Sequence, residues 1–294
     1  MTTYTMATEH PPHFEPVNEW LTVDGLELHY LSSGSGRTPV CLLHGGAVDA
    51  ATLSWGATIG PLAADRRVVA LDMAGYGRSA RPDASYSTTF HVDVLSAVVD
   101  ALGFDTVSIV GVSLGGGVGL GYSLREPERV EKLALVGSYG LGQELPNGLA
   151  TYALSRAPIL NELSLSVHRR HRLLAKQSLR GIVHDVDALS DAVIDEYYRE
   201  LQHPQAGKAY RRWRRHEVRR SGFRTNYSPR LEEVPVPTLL IHGADDPVFP
   251  ADWSRNAATR IPDASLEVLS ECGHWAPRER TDAVNRLLVD FLSE

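Results

Sequence analysis

Hydrophobic and polar positions follow two different periodicities along the chain, one typical of strands and one typical of helices. Residues 20–23 and 26–32 alternate apolar with polar side chains around Asp24-Gly25, a pattern that predicts a β-hairpin. Residues 40–44 form a short continuous apolar run, which is typical of a strand buried on both faces. Residues 89–102 carry apolar side chains at helical spacing instead. The chain therefore opens with antiparallel strands and continues with strands and helices in alternation.

The same alternation continues to the end of the chain. The remaining patterns predict a helix at 55–64, a strand at 67–71, a strand at 106–110 followed by a helix at 114–124, a strand at 130–136, a strand at 238–242, a helix at 251–260, a strand at 265–269 and a helix at 281–292. An α/β order of this kind favours a mostly parallel, twisted sheet with helices on both faces.

One long segment, residues 139–230, interrupts this rhythm. It is helix-patterned, contains no convincing strand and is too long for a connecting loop. We therefore expect a helical insertion within an α/β domain. The predicted divisions are an N-terminal arm at 1–18, the first part of the α/β core at 19–138, the helical insertion at 139–230 and the second part of the core at 231–294.

Charge is distributed unevenly over these divisions. The chain has a net charge of −7, yet residues 141–230 hold 16 basic and 9 acidic side chains. Two basic runs stand out, His168-Arg169-Arg170-His171-Arg172 and Arg211-Arg212-Trp213-Arg214-Arg215. We interpret them as solvated helix faces, some paired with the acidic body, because the protein as a whole is too acidic for a general phosphate binder. Nucleic acid is not an expected partner.

Composition also bears on the compartment and the cysteines. No apolar stretch approaches the ~20 residues that span a bilayer, and the first residues lack the basic start and apolar core of a signal peptide. Membrane association is therefore not expected, and the cytoplasm is the predicted location. The two cysteines, Cys41 and Cys272, lie in apolar stretches and are predicted to be buried, reduced thiols.

The pentapeptide Gly111-Val112-Ser113-Leu114-Gly115 carries the clearest chemical signal. It follows a predicted strand and opens a predicted helix, which is the context of a nucleophile elbow. Glycine two positions to either side of the serine avoids crowding between strand and helix, and the turn holds the hydroxyl out of the fold. We therefore predict that Ser113 is a nucleophile placed at a helix N-terminus.

A serine nucleophile needs a base, and the base needs an acid to orient it. His274 is the predicted base, because it follows the last strand and Gly273 permits a tight turn before it. Asp245 and Asp246 compete for the acid in the loop after the strand 238–242. Asp246 is favoured, since Pro247 stiffens the loop beyond it, and the order Ser, acid, His suits an α/β fold.

Two backbone donors should stabilise the oxyanion that forms when such a serine attacks a carbonyl. One is the N–H of Leu114, directly after the nucleophile. The other is assigned to Gly46 in His44-Gly45-Gly46, because paired glycines let the backbone approach a substrate oxygen closely. Gly45 is a candidate for the pocket wall, and His44 is predicted to be structural.

With these motifs in order, the chain resembles the α/β-hydrolase superfamily along most of its length. The resemblance rests on His44-Gly45-Gly46, the run from Asp72 to Ser79, the elbow at Ser113, residues 243–250, and Gly273-His274-Trp275. It implies that residues 139–230 roof the active site and that the run from Asp72 is a structural turn. Epoxide hydrolases and haloalkane dehalogenases share that fold but carry Asp as the nucleophile, so neither activity is expected.

A narrower resemblance is to hydrolases that cleave carbon–carbon bonds in ring-fission products of aromatic catabolism. It rests on Cys272-Gly273-His274-Trp275-Ala276, including the Trp after the base. Val112 stands where those enzymes usually carry Asn. Their cap also presents an Arg to the substrate carboxylate, and Arg199 matches that position only with a shift. Val112, Arg199 and Trp275 are therefore candidate pocket residues.

These observations predict a serine hydrolase that cleaves a small to medium carboxylic ester or lactone through an acyl-enzyme. Carbon–carbon cleavage of a dienoate is the alternative within the enzymes. A small-molecule sensor with little or no turnover is the alternative from another class, because some members of the superfamily use the pocket as a receptor. No metal or organic cofactor is implied, and the substrate and oligomeric state stay open.

Overall fold

Ten strands are present in the computed structural model, which describes residues 15–293. Eight of them form one sheet in the order β1-β2-β4-β3-β5-β6-β9-β10, and the other two pair with each other. The strands are β1 Val17–Val23, β2 Leu26–Ser33, β3 Arg37–Leu43, β4 Arg66–Leu71, β5 Val107–Val112, β6 Val130–Val136, β7 Val218–Arg219, β8 Gly222–Phe223, β9 Thr238–Gly243 and β10 Ala264–Leu269.

Helices connect the strands of this sheet. Within the described residues they are α1 Ala51–Ala63, α2 Thr88–Ala101, α3 Leu114–Arg125, α4 Leu149–Ser155, α5 Pro158–His168, α6 Arg172–Ser178, α7 Asp191–Leu201, α8 Lys208–Glu217, α9 Ala251–Arg260, α10 Ala276–Glu279 and α11 Thr281–Ser293. None of the helices in the described part of the chain is long and apolar enough to cross a membrane.

The sheet has an antiparallel start and a parallel body, as the sequence predicts. β1 and β2 form a hairpin whose turn residues Asp24 and Gly25 have φ of 49° and 76°. Positive φ at both positions is what the tightest two-residue hairpin turn requires. Across the large sheet, in the order β4-β3-β5-β6-β9-β10, every strand runs parallel to its neighbours. The carboxyl ends of β3, β5, β6, β9 and β10 therefore lie along one edge of the sheet.

Both faces of the sheet are buried under helices. Along β3, Cys41 and Leu43 pack into a core that includes the apolar sides of α2 and α3, while Val40 and Leu42 pack under α1 and α11. This two-sided burial explains why the central strands read as continuous apolar runs. Cys41 and Cys272 are both buried and unpaired, as predicted.

The insertion and the N-terminus each differ from the prediction in one detail. Helices α4–α8 lie between β6 and β9, but the insertion also contains the short antiparallel pair β7–β8, in which Val218 lies opposite Phe223 and the N–H of Arg224 donates to the carbonyl of Glu217 at 2.7 Å. The sheet already begins at Val17, which pairs with Ser32, so the last two residues of the predicted arm belong to β1. The rest of that arm, up to residue 14, lies outside the described residues.

Candidate active site

Ser113 occupies a strained turn between β5 and α3. Its φ of 54° and ψ of −116° are rare for a residue with a side chain. The turn is held by its own backbone, since the N–H of Ser113 donates to the carbonyl of Val136 at 2.9 Å and its carbonyl accepts from Tyr139 at 3.0 Å. The serine side chain is thereby fixed at the carboxyl edge of the sheet, where it lines a cavity.

The flanking glycines are required by close backbone approach. A Cβ on Gly111 would collide with the backbone of Gly115 and Gly116, and a Cβ on Gly115 would collide with the carbonyls of Leu43 and His44. Strand β5, helix α3 and the loop after β3 therefore meet at distances that only glycine allows. This is the crowding on which the sequence argument for the elbow depends.

His274 and Asp246 form a buried hydrogen-bonded pair. The Nδ1 atom of His274 lies 2.8 Å from Oδ2 of Asp246, and the Asp246 side chain is fully buried. Because Nδ1 faces the carboxylate, Nε2 is the ring nitrogen that can exchange a proton with a substrate or a serine. His274 and Ser113 line the same cavity. Gly137, at φ 48°, lets the chain pass close to the pair.

Asp246 is held ionised by several donors at once. Its Oδ1 atom accepts the N–H groups of Val248 and Phe249 at 2.7 and 3.0 Å, and its Oδ2 atom also lies 3.1 Å from Nε2 of His242. Burial alone would raise the pKa of Asp246, but the hydrogen bonds from His242 and His274 outweigh it and lower that pKa below its usual range. A carboxylate that stays charged can stabilise an imidazolium beside it.

Asp245 points away from this pair. Its half-exposed carboxylate lies 3.0 Å from Nδ1 of His184, which belongs to the segment between α6 and α7. The two neighbouring carboxylates thus have different surroundings. The Asp246 carboxylate is buried against His274, whereas the Asp245 carboxylate links the core to the insertion through His184.

The loop after β3 is shaped by an additional carboxylate that the sequence argument did not single out. Asp49 is buried and accepts the N–H of Gly45 and the N–H of Ala50, each at 2.8 Å, and the hydroxyl of Ser54 at 2.7 Å. Burial raises the pKa of Asp49 in spite of these hydrogen bonds. The turn signal of the two glycines was visible in the sequence, but the carboxylate that orients them was not.

His44 is engaged on both sides of its ring, in keeping with the predicted structural role. Its Nε2 atom accepts the N–H of Met73 at 3.0 Å, so Nδ1 carries the proton and donates to the carbonyl of Gly45 at 2.8 Å. Leu114 is the first residue of α3, so its N–H group has no hydrogen-bond partner within the helix. Gly46 and Leu114 both line the cavity beside Ser113.

This cavity has a volume of about 190 Å³ and mostly apolar walls. The predicted pocket residues Gly45, Val112 and Trp275 line it. The insertion supplies the other wall, which consists of Ser178, Leu179, Ile182, Tyr197, Tyr210 and Trp213. Tyr210 lies so close above Gly46 that a Cβ on that glycine would come within 2.9 Å of its ring. Helix α8 therefore roofs the loop after β3.

The expectation for Arg199 is wrong. Arg199 is exposed on α7, and it is not among the described residues that line the cavity. Helix α7 presents Tyr197 to the cavity instead, with the tyrosine hydroxyl 3.1 Å from that of Ser178. Two residues further along a helix is a rotation of about 200°, so Arg199 faces the opposite side. No Lys or Arg from the described part of the chain lines this cavity.

Glu279 is a further residue that sequence reasoning missed. Its Oε2 atom accepts the N–H of Gly273 at 2.9 Å, and its Oε1 atom accepts the N–H of Trp275 at 3.1 Å. The same carboxylate accepts the N–H of His184 at 2.6 Å. One side chain therefore fixes the backbone on both sides of His274 and links it to the insertion.

The comparisons with known proteins agree with this architecture. The model of the alpha/beta hydrolase fold family matches residues 38–281. The chain therefore belongs to the α/β-hydrolase family, as the order of its motifs predicts.

Comparisons with individual proteins show a more specific similarity than the family model does. The chain is 34% identical to the 2-hydroxy-6-oxo-6-(2'-aminophenyl)hexa-2,4-dienoic acid hydrolase of Metapseudomonas resinovorans, over 94% of this chain and 91% of that protein. It is 32% identical to the 2-hydroxymuconate semialdehyde hydrolase of Pseudomonas putida, over 87% of each. Among solved structures, a serine hydrolase involved in carbazole degradation (CarC enzyme) shares 30% identity with a TM-score of 0.79, over 95% of this chain and 99% of that one.

Proposed function

We propose that this protein is a serine hydrolase that cleaves the carbon–carbon bond beside the ketone of a 6-oxo-dienoate ring-fission product. The proposal is carried by the similarity to a dienoic acid hydrolase over nearly the whole of both chains. It replaces the ester or lactone that the sequence alone favoured. The buried His274–Asp246 pair and the strained Ser113 turn supply the machinery that such a reaction needs.

The covalent part of the proposed reaction begins with attack of Ser113 Oγ on the ketone carbon. His274 Nε2 takes the serine proton, and Asp246 stabilises the resulting imidazolium. The tetrahedral oxyanion accepts hydrogen bonds from the N–H groups of Gly46 and Leu114. Before this attack the dienol ketonises, which moves its 2-hydroxyl proton to the chain carbon beside the ketone and makes that carbon saturated. The bond between this carbon and the former ketone carbon then breaks, and its electron pair is delocalised as a dienolate. His274 returns its proton to the dienolate, which leaves as a hydroxydienoate, and water hydrolyses the acyl-enzyme.

The experiment follows loss of the dienoate chromophore by wild type and by Ser113→Ala. We expect kcat to fall roughly 10⁴–10⁶-fold in the variant, because the covalent route is removed while binding remains. Ser123→Ala is the matched control, since Ser123 is buried in α3 and does not line the cavity. Near-normal turnover by Ser113→Ala would exclude the mechanism.

Hydrolysis of a neutral ester or lactone is the second candidate. The observation in its favour is that Asp49 lines the cavity while no Lys or Arg of the described residues does so. A carboxylate substrate would have no cation to meet beside Ser113. The ratio of kcat/KM for a p-nitrophenyl ester and for a dienoate separates the two candidates. A single burst without further turnover on both substrates would favour a sensor instead.

A further inference from the structure

We infer that Asp49 makes the cavity at Ser113 a binding site for a ligand group that donates hydrogen bonds, such as an alcohol or an ammonium, and that it excludes an anion from the same place. The inference goes beyond the proposed function, because it concerns the group that a ligand places beside the nucleophile and not the bond that is cleaved.

The Asp49 carboxylate lies next to the nucleophile. Both residues line the same cavity. They also flank Gly45, because a Cβ on that glycine would lie 3.0 Å from Oδ2 of Asp49 and 3.6 Å from Cβ of Ser113. A group that binds this carboxylate is therefore held beside the reacting serine.

The acceptor positions of Asp49 are only partly used. An ionised carboxylate has about four positions for hydrogen-bond donors. Within the described residues, three donors occupy them, which are the N–H groups of Gly45 and Ala50 and the hydroxyl of Ser54. Burial raises the pKa of Asp49, so its ionised form is stabilised by a ligand that brings a further donor or a positive charge.

Donors around the carboxylate are already engaged with the protein. The indole N–H of Trp275 donates to Oγ of Ser54 at 3.0 Å. The hydroxyl of Ser178 donates to a backbone carbonyl of its own helix at 2.7 Å, so the Tyr197 hydroxyl, 3.1 Å away, donates to Ser178 and keeps its own lone pairs free. Asp49 and Tyr197 thus offer acceptors to a ligand in a cavity whose walls are mostly apolar.

Charge acts in the same direction. No Lys or Arg from the described part of the chain lines the cavity to neutralise Asp49. A ligand carboxylate beside Asp49 would meet a like charge at low dielectric, whereas an ammonium would meet an opposite one. A dienoate therefore binds with its carboxylate directed away from Asp49.

The test is titration calorimetry of the Ser113→Ala protein with three ligands that share one phenylpropyl body. They are 3-phenylpropylamine, which is a cation at about pH 8, 3-phenylpropanol and 3-phenylpropanoate. We expect the amine to bind roughly 10- to 100-fold more tightly than the carboxylate, with the alcohol between them, because a hydrogen bond to a charged group is gained. Equal affinities, a more tightly bound carboxylate, or no binding of any of the three would overturn the inference.

Adding Asp49→Asn to Ser113→Ala should bring the affinities of amine and carboxylate within about threefold of each other, because the amide lacks the charge. Asp245→Asn is the matched control, since it removes the same charge from an exposed residue that does not line the cavity. Ser54→Ala is the control for the loop, because it removes one hydrogen bond to Asp49 and leaves the carboxylate in place. Both controls should keep the preference for the amine.

Loss of that preference in Asp245→Asn or Ser54→Ala to the same extent as in Asp49→Asn would overturn the inference. If Asp49→Asn does not fold, the order of the three ligands on Ser113→Ala decides the inference by itself. None of these titrations depends on turnover. Failure of wild type to cleave a dienoate would thus overturn the proposed function and leave the inference standing.

Discussion

Replacing Asp246 with Asn tests the acid of the proposed triad. In the structure, Oδ1 accepts two backbone N–H groups and Oδ2 faces the rings of His242 and His274. An amide has one accepting oxygen and one donating nitrogen. If the oxygen stays with the backbone, the NH₂ group faces His274 Nδ1 and moves the ring proton to Nε2. If the amide flips, its NH₂ group meets the N–H groups of Val248 and Phe249.

The first orientation is the better one, and it leaves His274 in the tautomer that cannot accept the serine proton. A wrong tautomer of this kind lowers kcat by about 10⁴-fold, which corresponds to about 5.5 kcal/mol of transition-state stabilisation. We expect KM to change little, because Asp246 does not line the cavity.

The assay is steady-state turnover of the dienoate at pH 7–8. Asp245→Asn is the control, because it changes the adjacent carboxylate, which is half-exposed and paired with His184. An exposed polar contact of this type contributes no more than about 1 kcal/mol, so kcat should stay within a few-fold of wild type. The reasoning is refuted if Asp245→Asn loses more activity than Asp246→Asn.

Three further predictions concern the scaffold. Gly111→Ala should lower the free energy of unfolding, measured in urea, by roughly 3 kcal/mol, because the added Cβ collides with α3. Gly60→Ala is the control: its Cβ meets nothing within 4 Å, so it should raise the free energy of unfolding by up to about 1 kcal/mol. Equal effects of the two substitutions would contradict the crowding argument. Burial lowers the pKa of His91 to about 3, so the unfolded chain binds the proton first and stability falls as the pH drops below about 6.5. Between pH 6.5 and 5, wild type should lose about 2 kcal/mol more than His91→Leu, and parallel pH curves would refute this origin. Glu279→Gln should lower kcat roughly tenfold or more with little change in KM, because the loop of the base loosens, whereas Glu271→Gln, an exposed change in the same loop, should not.

Much of the fold was predictable because its signals are local. The hairpin turn at Asp24-Gly25 needs positive φ at both residues, and this requirement is visible in the sequence. Strands buried on both faces read as continuous apolar runs, and an amphipathic helix shows its spacing within a single segment. The bounds of β1 and the pairing of β7 with β8 were missed, because both depend on contacts with residues further along the chain.

The residues of the candidate site likewise fall into those with a local sequence signal and those without one. Ser113 with its flanking glycines, and the loops that hold Asp246 and His274, could be proposed from sequence because each follows an identifiable strand. Arg199 does not reach the cavity, because it lies two residues beyond Tyr197 on α7 and therefore on the opposite face of that helix.

The sequence by itself determined the family, the order of the motifs and the strained turn at Ser113, because each is set by residues close together in the chain. Only the tertiary structure decided which side chains close the pocket. Asp49 and Tyr210 line the cavity at Ser113 because the loop after β3 and helix α8 pack against elements distant in sequence. Such long-range packing leaves no periodic signal, and it is this packing that sets the charge a substrate meets.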